Sequence, residues 1–307
     1  MTKEEFWKNF NLGTELQISG NFIYNGLLSF HQMQSFYNED EIFDFLYNIS
    51  IGIERLLKIS VILIEHSDIK NAIELEKSII THNHLELLKR VKIKHELTLA
   101  NTHNEFLQLL SNFYKTMRYD RFNLSSVYEL SKEKKGLITF IEKNLDIKIS
   151  NEFFNVTAND DRIKKFIGKI IGKITSQLYS VLVNEAHRLN IYTYEVKNYS
   201  KSFKIFLTKD YTFEKADLVK KEVLLNLIQC KKQSNFYNFI DKIKPLDLSD
   251  YDENYLIKCL LDMLESEKLG DEVDMLYEEI KNKKDRFERL EMLGSDFSFD
   301  YFDDSEE

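Results

Sequence analysis

Apolar residues recur along most of this chain at the three- and four-residue intervals of amphipathic helices. Phe22, Ile23, Gly26, Leu27, Phe30, Met33 and Phe36 mark the first. A longer helix is predicted from about residue 40 to 65, on a stripe of Phe43, Leu46, Ile49, Ile53, Leu56, Leu57, Ser60 and Leu63. A third opens near Asn83 with Leu85, Leu88 and Val91. Thr102-x-x-Glu105 and Ser126-x-x-Glu129 have the spacing of capping boxes and predict helices running to Phe113 and to Leu145.

Residues 151–160 have the polar, turn-forming composition of a boundary. Beyond them Ile163, Ile167, Ile170, Ile174, Leu178, Val181, Leu182 and Glu185 outline a long helix. Its alternating threes and fours fit a coiled-coil-like seam or packing against the preceding unit equally well. Residues 191–196 and 203–207 are strand-like and predict one short β-hairpin. Helices then resume over 214–229, 235–243, 252–268 and 271–293. One proline and nine glycines in 307 residues agree with this pattern, because sheet-rich folds use both in turns. The expected architecture is all-α: a helical domain over 1–150, a second over 151–293, and an acidic tail over 294–307.

The net charge of −9 argues against a uniformly basic nucleic-acid binder, but the tail DFSFDYFDDSEE contributes six acidic residues and no cation, which leaves room for a local basic site elsewhere. Cys230 and Cys259 are too few and too far apart for a disulfide framework or a zinc cage. The N-terminus lacks the apolar run of a signal peptide. The most apolar stretch, 49–64, is interrupted by Glu54, Arg55 and Lys58, so no membrane span is expected and the chain reads as cytoplasmic. His82, His84, His95 and His103 lie near one another in sequence without a metal-ligand motif. No metal and no cofactor is expected. Gly168 and Gly172, inside the long helix, read as sites of close packing rather than a phosphate loop.

The chemically densest stretch is NFYKTMRYDRFNL, residues 112–124. Lys115, Arg118 and Arg121 recur at three-residue spacing, which places them on one face of a helix. Tyr114, Tyr119 and Phe122 lie between them. Cations beside flat rings suit a phosphate backbone with exposed bases, as in single-stranded RNA. Composition alone favours the plainer alternative, in which the cations complement the carbonyl end of a helix while the rings pack in a core.

GIERLLKISVILIE (52–65), HNHLELLKRV (82–91) and FYKTMRYDRFNL (113–124), in that order, resemble the helices of HEPN domains over roughly residues 22–145. That resemblance implies a helical unit, commonly dimeric, and in many members a metal-independent endoribonuclease of toxin–antitoxin or other defence systems. Catalytic members carry Arg, four to six residues, then His. Arg90-VKIK-His95 fits the spacing but sits within the third helix, whereas Arg118-YDRF-Asn123 occupies the expected place with Asn for His. Asn cannot exchange a proton near neutral pH, so it can orient a phosphate or a 2′-hydroxyl only.

The resemblance therefore implies a site in which Arg118 stabilises phosphate charge, Asn123 orients, and His84 acts as acid or base. Lys115, Tyr119, Arg121, Glu54 and Lys58 would bind substrate around them. The expected activity is RNA cleavage by a homodimer serving as effector of a bacterial defence or toxin–antitoxin system, with an antitoxin or other defence protein as partner. The alternative is a non-catalytic HEPN-like module that binds RNA or protein.

Overall fold

A computed structural model of the chain describes residues 3–65, 72–120, 122, 124, 132–152, 155–191, 196–229 and 235–295. Helices build the fold, and Asn151–Glu152 paired antiparallel with Asn155–Val156 forms the one sheet among the described residues.

Everything in the first compact unit is arranged about the helix Glu39–Glu65. Glu39, Asp40 and Glu41 fill its first turn, where negative charge meets the positive end of the helix dipole. Its buried side is far wider than one stripe: Ile42, Phe45, Leu46, Ile49, Ile53, Leu56, Leu57 and Val61 are all completely enclosed. A helix enclosed this way must be covered from several directions. Leu12–Gln32 lies against one side, and His84–Lys94, Asn101–Asn112, Lys132–Leu145 and Asp161–Arg188 cover the rest.

The fit between Leu12–Gln32 and the central helix depends on small residues. Ser19 Oγ donates to the Gly52 carbonyl at 2.7 Å, and a Cβ on Gly52 would come within 2.6 Å of Ile23 Cγ1. The long helix Asp161–Arg188 begins on its own cap, with Asp160 Oδ1 accepting from the Ile163 N–H at 2.9 Å. Just before it, Asn159 Nδ2 donates to the Phe30 carbonyl at 2.7 Å and the Met33 carbonyl at 3.1 Å, which ties the start of one helix to the end of another.

The expected boundary at residue 150 does not divide the molecule. Ile163, Ile167, Ile170, Ile174, Leu178 and Val181 enter the same core as the central helix, and the first unit extends to Phe213. Packing, and not a coiled-coil seam, accounts for the spacing along Asp161–Arg188. Gly168 and Gly172 serve close packing as expected: a Cβ at either would collide with Tyr211.

The expected hairpin is not found where the sequence placed it. Residues 192–195 lie outside the described residues, and Lys201–Phe203 followed by the π-helical turn Lys204–Thr208 replaces the second strand. Ser200 caps this segment, and Gly20 leaves room for Ser202 and Phe206 against the first helix. Adjacent burial of Ile205 and Phe206 follows from a helical face, not from the alternation of a strand.

Two further details move. The Thr102-x-x-Glu105 box is not formed: His103 Nδ1 accepts from the Ala100 N–H at 3.1 Å, while Glu105 pairs with Lys143 at 2.7 Å. The Ser126-x-x-Glu129 box lies outside the described residues.

Residues from Glu214 onward make up a second unit of short helices: Glu214–Gln229, Asn235–Asp241, Glu253–Leu261, Met263–Glu267, Gly270–Glu278 and Lys283–Met292. Side chains reach deep burial here at Phe239, Cys259 and Leu269. Cys230 and the acidic tail from residue 296 lie outside the described residues.

Candidate functional site

The central helix carries Phe43, Tyr47, Glu54 and Lys58 at intervals of four and seven, which sets them along one line of its surface. Glu54 is only 6 % exposed. A carboxylate so enclosed requires charge-assisted partners. Lys58 Nζ lies 2.7 Å from Oε1, and His82 Nδ1 lies 3.0 Å from Oε2 and 3.2 Å from Oε1.

His82 is presented by a segment fixed on both sides. Asn83 caps the helix His84–Lys94 by accepting from the Glu86 N–H at 3.3 Å, and it also receives Ser111 Oγ at 3.3 Å. His84 is completely buried, and its Nε2 donates to the Ser50 carbonyl at 2.9 Å. That bond leaves Nδ1 as the bare nitrogen of a neutral ring, and no donor meets it. Burial lowers the His84 pKa, and the Ser50 carbonyl and the Glu54 charge oppose the shift only in part. The expectation that His84 works on substrate is therefore corrected. The ring is sealed in the core, where it fastens the start of its helix to the central helix.

The stretch that carries Arg118 is not a continuous α-helix. Asn101–Asn112 widens over Phe113–Met117 into a π-helical turn, in which the Arg118 N–H reaches the Phe113 carbonyl, and ends in the short helix Arg118–Asp120. A turn closed from i to i+5 holds more residues, so positions three apart diverge while positions four apart stay on one face. Tyr114 and Arg118 accordingly stack, with the guanidinium carbon 3.7 Å from the ring centre. Lys115, three residues before Arg118, is exposed and takes no part in that stack.

Tyr119 closes on Arg118 from the other direction at 4.4 Å. The guanidinium is thus held by two rings, and no carboxylate among the described residues pairs with it. Its Nε is buried without a partner. Tyr114 also lies 4.7 Å from the His82 ring and stacks on Tyr47 at 6.2 Å. Burial raises the Tyr114 pKa, with Glu54 adding to the effect and Arg118 opposing it, so the phenol keeps its proton at neutral pH.

A continuous path of contacts thus runs from Arg118 through Tyr114 and His82 to Glu54 and Lys58. Two permanent cations face one carboxylate along it, a local excess of positive charge in an acidic chain. Tyr119 is 53 % exposed and Phe122 is 86 % exposed, so flat rings stand open to solvent on this same stretch.

Of the expected site residues, Arg118, Tyr119, Glu54 and Lys58 come together. Arg121 and Asn123 lie outside the described residues. His82 is the member that sequence reasoning passed over, because two histidines a residue apart invite a metal test and fail it. The available signal was its position directly before an Asn helix cap.

The pair that matches the literal motif is differently employed. Arg90 is bidentate to Glu65 at 2.8 and 2.5 Å and also donates to the Ser78 carbonyl and hydroxyl. His95 Nε2 lies 2.8 Å from Glu185, which Arg188 also holds. Arg90 ties its helix back to the end of Glu39–Glu65, and His95 ties the end of that same helix to Asp161–Arg188.

Among the described residues, no three His, Cys, Asp or Glu side chains are gathered as metal ligands would be, and no helix is long and apolar enough to cross a membrane. In comparisons with protein-family models, with curated proteins and with solved structures, nothing matches this chain.

Proposed function

We propose that the cluster around Arg118 binds single-stranded RNA and that the chain is a metal-independent endoribonuclease. The observation that carries this reading is Arg118 itself: a guanidinium held between Tyr114 and Tyr119, with no carboxylate among the described residues paired to it. Such a group offers charge and a planar donor fork to a phosphate, while the open face of Tyr119 offers a platform to a base. Lys58 adds a second cation at the other end of the path. Attack by a 2′-hydroxyl on the adjacent phosphate brings its own nucleophile, and stabilising the phosphorane charge falls to Arg118.

In line with the HEPN resemblance, the proposed setting is a bacterial defence or toxin–antitoxin system. Two copies would pair through the first unit so that two Arg118 side chains border one cleft. A second reading, RNA binding without cleavage, is favoured by the burial of His84 together with Asn at position 123.

Incubation with total RNA in EDTA decides between them. Cleavage by the wild type that is lost in Arg118→Ala supports the nuclease. Binding without cleavage supports the second reading, and neither binding nor cleavage overturns both. Light scattering that shows only monomer at micromolar concentration, with or without RNA, removes the dimer.

A further inference from the structure

We propose that His82, oriented by Glu54, is the group that accepts the 2′-hydroxyl proton during RNA cleavage. The inference rests on the nuclease reading above and adds to it the residue that moves the proton.

The geometry separates the two ring nitrogens by task. Nδ1 faces the Glu54 carboxylate, so it carries the proton and donates to it. Nε2 is left as the lone-pair nitrogen, makes no hydrogen bond among the described residues, and belongs to a side chain that is 48 % exposed. A carboxylate behind one nitrogen and open space before the other is the arrangement a general base needs. Glu54 is itself held in place by Lys58. The enclosed carboxylate fixes the ring so that Nε2 faces outward.

The location fits the same task. His82 and Arg118 lie on one Tyr114 ring, 4.7 and 3.7 Å from its centre, so a phosphate on Arg118 brings its neighbouring ribose towards His82. The titratable and charged groups facing the ring are Glu54, Lys58, Tyr114 and Arg118, with the buried neutral His84 behind. Among these, His82 alone joins exposure to a ring nitrogen left with its lone pair. In the reaction the 2′-hydroxyl proton passes to Nε2 and the 2′-oxygen bonds to phosphorus. The bond from phosphorus to the 5′-oxygen breaks, and water protonates that oxygen. The products are a 2′,3′-cyclic phosphate and a 5′-hydroxyl, and the imidazolium returns its proton to solvent.

The test uses the full chain and total RNA in EDTA, with product ends, RNA affinity and melting temperature read in parallel. His82→Ala is expected to lower the cleavage rate by about 100-fold or more with affinity unchanged and a small fall in melting temperature from the lost Glu54 partner, and added imidazole restores part of the rate. Glu54→Gln keeps an acceptor for Nδ1 but removes the charge. It cleaves more slowly, with RNA affinity unchanged. Cleavage by His82→Ala at the wild-type rate overturns the assignment while leaving the nuclease reading in place. So does a loss of rate that imidazole does not rescue. A wild type that binds RNA and never cleaves it overturns the nuclease and this assignment together.

Discussion

Arg90 and Arg118 are both partly buried arginines of the first unit, and their surroundings are opposite. Arg90 meets Glu65 through two hydrogen bonds and Ser78 through two more, and Glu65 is the largest cause of its raised pKa. Its charge is answered and its donor fork is occupied. Arg118 meets two tyrosine rings, which hold the guanidinium in position without neutralising it. A ring holds a cation by its face and leaves the in-plane donors free for a ligand, whereas a carboxylate takes them. Motif spacing selects Arg90, and the identity of the neighbours selects Arg118.

The sharpest way to break this contrast is to remove each arginine in turn. Arg118→Ala is expected to lower RNA cleavage by about 100-fold or more, the scale of losing one charge-stabilising donor, with little change in melting temperature. Arg90→Ala is expected to leave cleavage intact and to lower stability by about 1–2 kcal/mol, a figure discounted for the partial exposure of Glu65. Rates and melts of the two variants side by side check this, and an exchange of the two phenotypes would reverse the assignment.

The tyrosine side of the contrast is tested at Tyr119, whose ring is more than half exposed. Tyr119→Ala is expected to weaken RNA binding by about 1–3 kcal/mol, the range for losing one base stack, as read by fluorescence anisotropy at fixed salt. Full affinity in this variant would limit the ring to holding Arg118.

His84 gives a third environment, a sealed core in which the Ser50 carbonyl accepts from the ring and the nearby Glu54 charge acts on it without contact. Its folded pKa lies below the ordinary 6.5 because burial disfavours the charged form. The unfolded chain therefore binds a proton more readily. The stabilising contribution is fully present above pH 6.5 and is lost as pH falls towards the folded pKa, with a slope of up to about 1.4 kcal/mol per pH unit. Denaturant melts across that range, compared with His84→Gln, should show a shallower dependence in the variant. Identical slopes would mean that His84 is already protonated in the fold.

Lys115 marks the weak end of the series. It is exposed and outside the Tyr114–Arg118 stack, so Lys115→Ala should change stability by less than about 0.5 kcal/mol. Its effect on RNA binding should appear only as a slightly smaller salt dependence.

Several features were legible in the sequence for plain physical reasons. The row Phe43, Tyr47, Glu54 and Lys58 follows from helical spacing, and Glu54 with Lys58 is an ion pair set by that spacing alone. Asn83 as a helix start was visible too. The Thr102 box and the strand at 203–207 failed because local preferences were outweighed by what the segments pack against. In the second case that was the gap opened by Gly20 on another helix.

The sequence by itself determined an all-α chain and the approximate positions of its long helices, because periodic burial is a local property that each segment carries. It also singled out Arg118 by the aromatic company it keeps in the chain. Only the tertiary structure decided that the long helix Asp161–Arg188 shares the first core, that His84 is sealed inside, and that His82 stands between Glu54 and Tyr114. Residues 54, 82, 114 and 118 meet because three helices pack together and one π-helical turn redirects the last of these side chains. No local pattern encodes which nitrogen of a histidine finds a carboxylate 28 residues away.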